Sequence, residues 1–405
     1  MKKNKKRFCI KPFNSARIDS TGRIATCCKI ESPFSQFKGK KYFNIKEDSV
    51  KEFWDSDYTK YMRQQFLDGV EPTECVECWK DEDNDNSSSD RIMANKRHKV
   101  LFSSKNNIPK YLKILKKDNL DYPEDIDIMT TNLCNLKCQM CRGKSSSKLL
   151  IENNALGFEN LKQKDYSLDP AIIEKYTNEI AKNHVRVITF AGGEPFIDPN
   201  VLRFIKVLSQ RTELHKELTL EITTNGTTCN NKLLDMLKKF KHVQLIFSVE
   251  STDAVNEYLR FPSKWETVEK NIGEFLTLPN ATYQLTSTVQ NLNILYLARI
   301  IDFAFERDIH LKLQILSKPD YLRLTNLPKE ILIKSLDHLI NVPRKKLIHT
   351  DNFDAIVTML KLHIRNYKSN DKKLAEVKSM IKKRDEYRNI QIKDYLPELA
   401  NDLNI

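Results

Sequence analysis

Three cysteines, Cys134, Cys138 and Cys141, have the most distinctive chemistry this chain offers, within Thr130-Thr131-Asn132-Leu133-Cys134-Asn135-Leu136-Lys137-Cys138-Gln139-Met140-Cys141. Three thiolates packed this closely can seat an iron-sulfur cluster and leave one iron without a protein ligand, and an open iron is where chemistry can occur. Four cysteines would saturate a cubane cluster, and structural zinc would want a fourth ligand that no nearby histidine supplies. The pattern therefore calls for a substrate or cofactor to complete the coordination. A zinc knuckle or a group of reduced thiols is the plainer alternative.

A second cysteine group occupies the first hundred residues: Cys9, the adjacent pair Cys27 and Cys28, then Cys75 and Cys78. The segment Ala16 to Thr26 alternates apolar and polar residues around Ser20-Thr21-Gly22, which reads as a β-hairpin. A hairpin ending in cysteine and a separate Cys-x-x-Cys can converge on one metal. Neighbouring side chains on a strand point to opposite faces, so Cys27 and Cys28 are not expected to ligate the same centre. Four cysteines would leave no open iron, which suits electron transfer or structural support. Zinc uses similar four-cysteine spacing and competes for the place. Cys229 reads as an ordinary loop thiol.

The elements that must position the first group follow it. Apolar runs at Ile126 to Met129, Val185 to Phe190, Leu218 to Thr224, Val243 to Val249, Thr282 to Val289 and Leu311 to Leu316 alternate with helical patterns such as Asn231 to Phe240. Repeated strand-helix units imply a parallel sheet, with ligands bound at the carboxyl ends of its strands. There the chain places Gly192-Gly193-Glu194-Pro195, two of its nine glycines together. Glycines there let backbone approach a ligand closely. The next strands end in Thr223-Thr224-Asn225-Gly226, Ser248-Val249-Glu250-Ser251 and Thr288-Val289-Gln290-Asn291, polar groups able to hydrogen-bond a ribose, an adenine or a carboxylate, or simply to cap strand ends.

The Cys-x3-Cys-x2-Cys loop, the Gly-Gly-Glu turn and six strand-helix units together resemble the radical SAM superfamily. The resemblance implies an α/β fold, a partial (β/α)6 TIM-type barrel. It also implies a 4Fe-4S cluster on Cys134, Cys138 and Cys141 whose open iron is chelated by S-adenosylmethionine and whose reduced form yields a 5'-deoxyadenosyl radical. By the same resemblance Gly192, Gly193 and Glu194 hold the methionine amino group, with Thr224 and Asn225 at the same rim. Ser248 and Glu250 face the cofactor, Val289 and Gln290 lie near the adenine, and Arg260 meets a carboxylate of cofactor or substrate. Met140 stands where many family members carry an aromatic residue and can still pack the adenine side. The amino-terminal cysteines resemble the twitch or SPASM auxiliary module, implying a second 4Fe-4S cluster on Cys9, Cys27, Cys75 and Cys78. Such modules usually follow the barrel; here it precedes it.

The expected organisation is an auxiliary module and linker at 1–90, a connecting helix and loop at 91–122, the barrel at 123–317 and a helical carboxyl-terminal extension at 318–405. Within the linker, Asp81 to Asp90 reads as a solvated connector. The extension reads as helices at Lys329 to Ile340, Phe353 to Tyr367 and Lys372 to Arg388, with an apolar tail from Asp394 to Leu399 able to dock. Eight of nine cysteines in metal-type groups imply a reducing compartment. No run approaches the ~20 apolar residues of a membrane span, and the start lacks the apolar segment of a signal peptide, so a cytoplasmic protein is expected. Net charge is +13, from 67 basic and 54 acidic residues, which permits an anionic partner without naming one. The expected activity is radical modification or dehydrogenation of a peptide or protein, with flavodoxin or ferredoxin as electron donor. RNA or nucleotide modification is the alternative within enzymes, resting on Arg344-Lys345-Lys346 and Lys382-Lys383-Arg384. A nonenzymatic zinc protein is the alternative outside them.

Overall fold

The computed structural model describes residues 7–30, 43–83, 90–97, 121–162, 169–183 and 185–405. Its strands are β1 (Ser15–Ile18), β2 (Arg23–Ala25), β3 (Phe43–Asn44), β4 (Asp125–Ile128), β5 (Val187–Phe190), β6 (Thr219–Thr224), β7 (His242–Ser248), β8 (Ala281–Val289), β9 (His310–Ile315) and β10 (Thr350–Asp351). They form one sheet in the order β10-β9-β8-β7-β6-β5-β4-β1-β2-β3. From β4 to β9 every neighbouring pair is parallel, and helices such as Pro199–Ser209, Trp265–Phe275 and Leu297–Glu306 fill the crossovers. This is the expected partial (β/α)6 barrel, with strand ends within one or two residues of the sequence reading.

Alternation along each strand separates two faces. In β6, Leu220, Ile222 and Thr224 are buried while Thr219, Glu221 and Thr223 are half-buried. Leu220 and Ile222 join a hydrophobic core whose described members range from Phe8 to Leu403. The other face is polar. On it Arg17 pairs with Asp127, and Arg97 with Glu221 at 2.9 Å.

The amino-terminal hairpin continues the barrel sheet. β1 pairs in parallel with β4, from Ser15 opposite Asp125 to Ile18 opposite Ile128, and antiparallel with β2. Its turn closes through Gly22 N donating to the Asp19 carbonyl at 2.8 Å. Gly22 has φ +81°, and a Cβ there would lie 2.8 Å from Asn44 Oδ1, so the position needs glycine. Strands β3 and β10, two residues each, are too short for any periodicity to announce.

Part of the connector expected over Asp81 to Asp90 lies at 84–89, and most of the segment expected from Arg91 to Tyr122 lies at 98–120; both stretches are outside the described residues. Between them the helix Asp90–Arg97 is described. Helices Lys329–Ile340, Phe353–Arg365 and Asp371–Arg388 form the extension. The tail docks as expected: Leu396, Leu399 and Leu403 are buried, and Leu399 N donates to the Tyr296 hydroxyl at 3.1 Å. Among the described residues no helix is long and apolar enough to cross a membrane.

Candidate active site

The cysteine loop leaves the carboxyl end of β4 and is held along its length. The hydroxyls of Thr130 and Thr131 both donate to Asp198, the latter at 2.8 Å. Asp198 also caps the helix Pro199–Ser209 by accepting from Asn200 N at 2.9 Å. Further along, Lys137 N donates to the Phe261 carbonyl at 2.6 Å and Gln139 N to the Leu259 carbonyl at 2.8 Å. The Ser146 hydroxyl donates to the Leu136 carbonyl at 2.6 Å. With the backbone so committed, Cys134 and Cys138 are buried and Cys141 half-buried.

The Gly-Gly-Glu turn meets this loop directly. Glu194 N donates to the Leu133 carbonyl at 2.7 Å. Gly193, at φ +55°, lies so close that a Cβ would stand 2.4 Å from Leu133 O, and at Gly192 a Cβ would strike the Met129 side chain. In the fold Gly193 meets the backbone of the cysteine loop and Gly192 the Met129 side chain just ahead of it. Buried Glu194 accepts from the Thr224 hydroxyl at 2.7 Å, Asn225 N at 2.7 Å and Phe196 N at 3.1 Å. Burial raises its carboxyl above the usual range although these bonds oppose the shift. Thr224 and Asn225 thus hold Glu194, and the Asn225 amide also donates to Asn135 Oδ1 at 2.9 Å within the cysteine loop.

At the next strand end, fully buried Glu250 accepts from Arg260 Nη2 at 2.5 Å and from Thr288 N at 2.5 Å. The same guanidinium donates through Nη1 to Cys138 Sγ at 3.6 Å. Sequence reading gave Arg260 to a carboxylate of cofactor or substrate; in the fold its carboxylate partner is Glu250 and its second contact a cluster-type thiol. Burial raises Glu250, with Arg260 pulling the other way. Ser248 is half-buried at the end of β7. Val289 and Gln290 are fully buried at the end of β8, where Asn293 accepts from Gln290 N at 2.8 Å. Met140 packs beside Cys134 and Cys138.

The thiols differ in acidity. Cys138 is drawn down to about 7 by a hydrogen bond with Cys141 and by Arg260, against burial, and Cys141 is raised by the same bond. Burial and Cys138 push Cys134 up to about 12. Among the described residues no three His, Cys, Asp or Glu groups stand as a single metal ion would require; a cubane cluster instead spreads its thiolates around a body of iron and sulfide. The donor set fits such a group: three thiols, a guanidinium beside one of them, and Arg260 Nε, Gln290 Oε1 and Gln139 Nε2 buried without partners. Each such orphan costs about 1–3 kcal/mol, which a bound ligand can recover.

The second cysteine group also assembles. Cys9 and Cys78 are buried, Cys27 and Cys75 half-buried. Burial, then Cys27 and Cys78 among its neighbours, push Cys9 up to about 12; burial followed by Cys27, Cys9 and Cys78 raises Cys75. Thiols that raise one another are those that gain most from a shared cation. Helix Asp90–Arg97 braces the group, with Asn95 accepting from Ile10 N at 3.0 Å and donating to the Phe8 carbonyl at 2.9 Å, either side of Cys9. Cys28 is exposed, and the groups that act on it are Asp90, Lys11, Cys27 and Arg17.

Other contributors gave no signal in the sequence. Asn293 ties the strand ends through Nδ2 to the Glu250 carbonyl at 3.0 Å, and Arg388 Nη2 donates to the Lys137 carbonyl at 2.6 Å from the far end of the chain. Asp198 was readable, since Asp-Pro-Asn before an apolar run is a helix start. The basic runs are partly neutralised: Arg344 pairs with Asp354 and Lys346 with Asp302, both at 2.7 Å.

Comparison with known proteins matches residues 128–287 to the radical SAM superfamily and residues 9–79 to the SPASM iron-sulfur cluster-binding domain. The uncharacterized protein MJ0907 of Methanocaldococcus jannaschii is 24% identical over 189 residues, 45% of this chain and 59% of that protein. Among solved structures, Streptococcus suis SuiB bound to S-adenosylmethionine is 18% identical with a TM-score of 0.39, over 61% of this chain and 56% of that one. Native anSMEcpe with bound AdoMet is 15% identical with a TM-score of 0.42, over 59% and 66%. The chain thus spans less than two thirds of the length of each of these relatives. The two matched domains carry their cofactors with them: S-adenosylmethionine with a 4Fe-4S cluster in the barrel, and a further 4Fe-4S cluster in the module ahead of it. Residues 128–287 are thus a radical SAM domain, with a SPASM-type iron-sulfur domain at residues 9–79 ahead of it.

Proposed function

We propose that this enzyme is an oxidoreductase that modifies or dehydrogenates a peptide or protein, with Cys134, Cys138 and Cys141 as ligands of the catalytic cluster. The observation that carries the reading is the joint between the buried cysteine loop and the Gly-Gly-Glu turn, made by Glu194 N on the Leu133 carbonyl with no room for a side chain at Gly193. Bound there, the reduced cluster and S-adenosylmethionine supply a 5'-deoxyadenosyl radical that takes a hydrogen atom from substrate.

The chain's own residues divide the remaining work. Glu194 has three of its roughly four acceptor directions filled by the protein, leaving one for the ammonium of the methionine moiety. Ser248, Val289, Gln290 and Met140 border the adenosine. Arg260, fixed by Glu250, donates to Cys138 and offsets the thiolate charge. Cys9, Cys27, Cys75 and Cys78 would hold the second cluster with all four protein positions used, and a cluster so saturated would supply electron transfer in place of substrate ligation. Five cysteines suffice for one such cluster, so the module is of the twitch kind. The polar face with Asp127, Glu221 and Arg17 lies on the barrel wall beside β1, where a peptide would find hydrogen-bond partners. Exposed Arg142, Lys144 and Lys148, directly after the cysteine loop, suit an acidic electron donor such as flavodoxin or ferredoxin.

The test is release of 5'-deoxyadenosine from S-adenosylmethionine by reduced, reconstituted protein. Release that disappears in Cys138→Ala is expected; absence of release from wild type overturns the reading.

A further inference from the structure

The helix Asp371–Arg388 sends two arginines into the protein behind the cysteine loop, to partners 231 or more residues earlier in the chain. Both are buried, and both reach Glu152, itself fully buried on the helix Ser147–Ala155 that follows the loop. Arg384 donates to Glu152, and Arg388 donates to it through Nη2 at 2.8 Å and Nε at 3.0 Å. Arg388 Nη2 also donates to the Lys137 carbonyl at 2.6 Å, one residue before Cys138. Lys137 Nζ stands 3.5 Å from Glu152.

Two buried guanidinium groups and the Lys137 ammonium face two carboxylates, Glu152 and Asp385, so the knot carries an excess positive charge in the interior. Left alone, such a charge is costly, and apolar side chains would fill the space more cheaply. Arg384 Nε and Arg388 Nη1 are moreover buried without partners. An anionic group next to Cys138 supplies the missing counter-charge, and the arrangement becomes sensible once a thiolate-bound cluster is there.

We propose that Arg388, oriented by Glu152, is a positioning residue for the catalytic cluster: it fixes the Lys137–Cys138 segment through the Lys137 carbonyl, and the excess charge of the knot sets the cluster's reduction potential. This rests on the cluster assignment above. Cluster potentials respond to nearby net charge, a cation favouring the reduced, more negative state.

The test is the midpoint potential and reduced-state electron paramagnetic resonance spectrum of the catalytic cluster in the full reconstituted chain, for wild type, Arg388→Gln, Arg388→Lys and Glu152→Gln. Arg388→Gln is expected to shift the potential negative, Arg388→Lys to restore most of that shift, and Glu152→Gln to shift it positive. Opposite signs are the decisive feature, because a loop merely loosened would move the same way in both charge-neutralising variants. Should Glu152→Gln fail to fold, Asp385→Asn, at the other carboxylate acting on Arg388, replaces it in every comparison, with a positive shift expected. Wild-type potential and spectrum in Arg388→Gln, a shift of equal size in exposed Lys382→Gln on the same helix, or a same-direction shift in Arg388→Gln and Glu152→Gln overturns the proposal. If wild type takes up no iron, the cluster assignment itself fails, a result separable from all of these.

Discussion

Gly193→Ala tests the joint on which the site depends. The added Cβ would lie 2.4 Å from Leu133 O, 3.1 Å from Leu133 N and 3.2 Å from Asn132 C, all backbone atoms that have no rotamer by which to retreat. At φ +55° alanine also bears the left-handed penalty of about 1–2 kcal/mol, and overpacking adds about 1–3 kcal/mol. The lost freedom of the unfolded chain returns about 0.4–1 kcal/mol. The net is a destabilisation of about 1–5 kcal/mol by these terms. Gly157→Ala is the control, because Gly157 has φ +71° but nothing within 4 Å of the position a Cβ would take. It keeps the left-handed penalty and lacks the clash, so the two variants should differ by about 1–3 kcal/mol. Chemical denaturation of the unreconstituted protein measures both, and iron analysis after reconstitution should show Gly193→Ala losing barrel-cluster iron while the amino-terminal cluster stays. Equal denaturation midpoints for the two variants, with full iron in both, would refute the reasoning.

Glu250→Gln leaves Arg260 buried without its counter-ion and should cost about 3–5 kcal/mol, read as a lowered denaturation midpoint. The pH dependence follows from Glu194 and Glu250, both raised by burial. Because the folded chain holds these protons more tightly than the unfolded one, their contribution to stability is complete below the ordinary carboxylate value of 4.5 and declines as pH rises through the folded values. Thermal midpoints of the metal-free protein between pH 4 and 8 should show this decline, and Glu194→Gln should flatten it. In the amino-terminal group, Cys27→Ala should lose the iron of that cluster whereas Cys28→Ala retains it; iron analysis of the two variants distinguishes them.

Much of the barrel was legible because its strands are apolar runs separated by helix-length segments, and the period differs sharply between the two. The cysteine loop and the Gly-Gly-Glu turn were legible as chemistry because their spacing is local. What joins them was not. The contact of Gly193 with Leu133 spans sixty residues of intervening chain, and no single-sequence pattern encodes it. The same holds for Arg388 and Glu152: the helix Asp371–Arg388 is dense in charged residues, and nothing in its sequence marks one arginine as buried. Thr224 and Asn225 were read as facing a ligand, and in the fold they orient Glu194, since a buried carboxylate must be given donors by its neighbours. The hairpin was foreseen from Ser20-Thr21-Gly22, but its pairing with β4 was not, because parallel register between distant strands leaves no mark on either one.

The central claim, two 4Fe-4S clusters on two separate cysteine groups, is tested most directly by iron and sulfide content after anaerobic reconstitution of wild type and of the combined variant Cys134→Ala, Cys138→Ala, Cys141→Ala. The account predicts about eight irons falling to about four. About four falling to none would remove the cluster from the amino-terminal group, and no iron in wild type would contradict the account altogether.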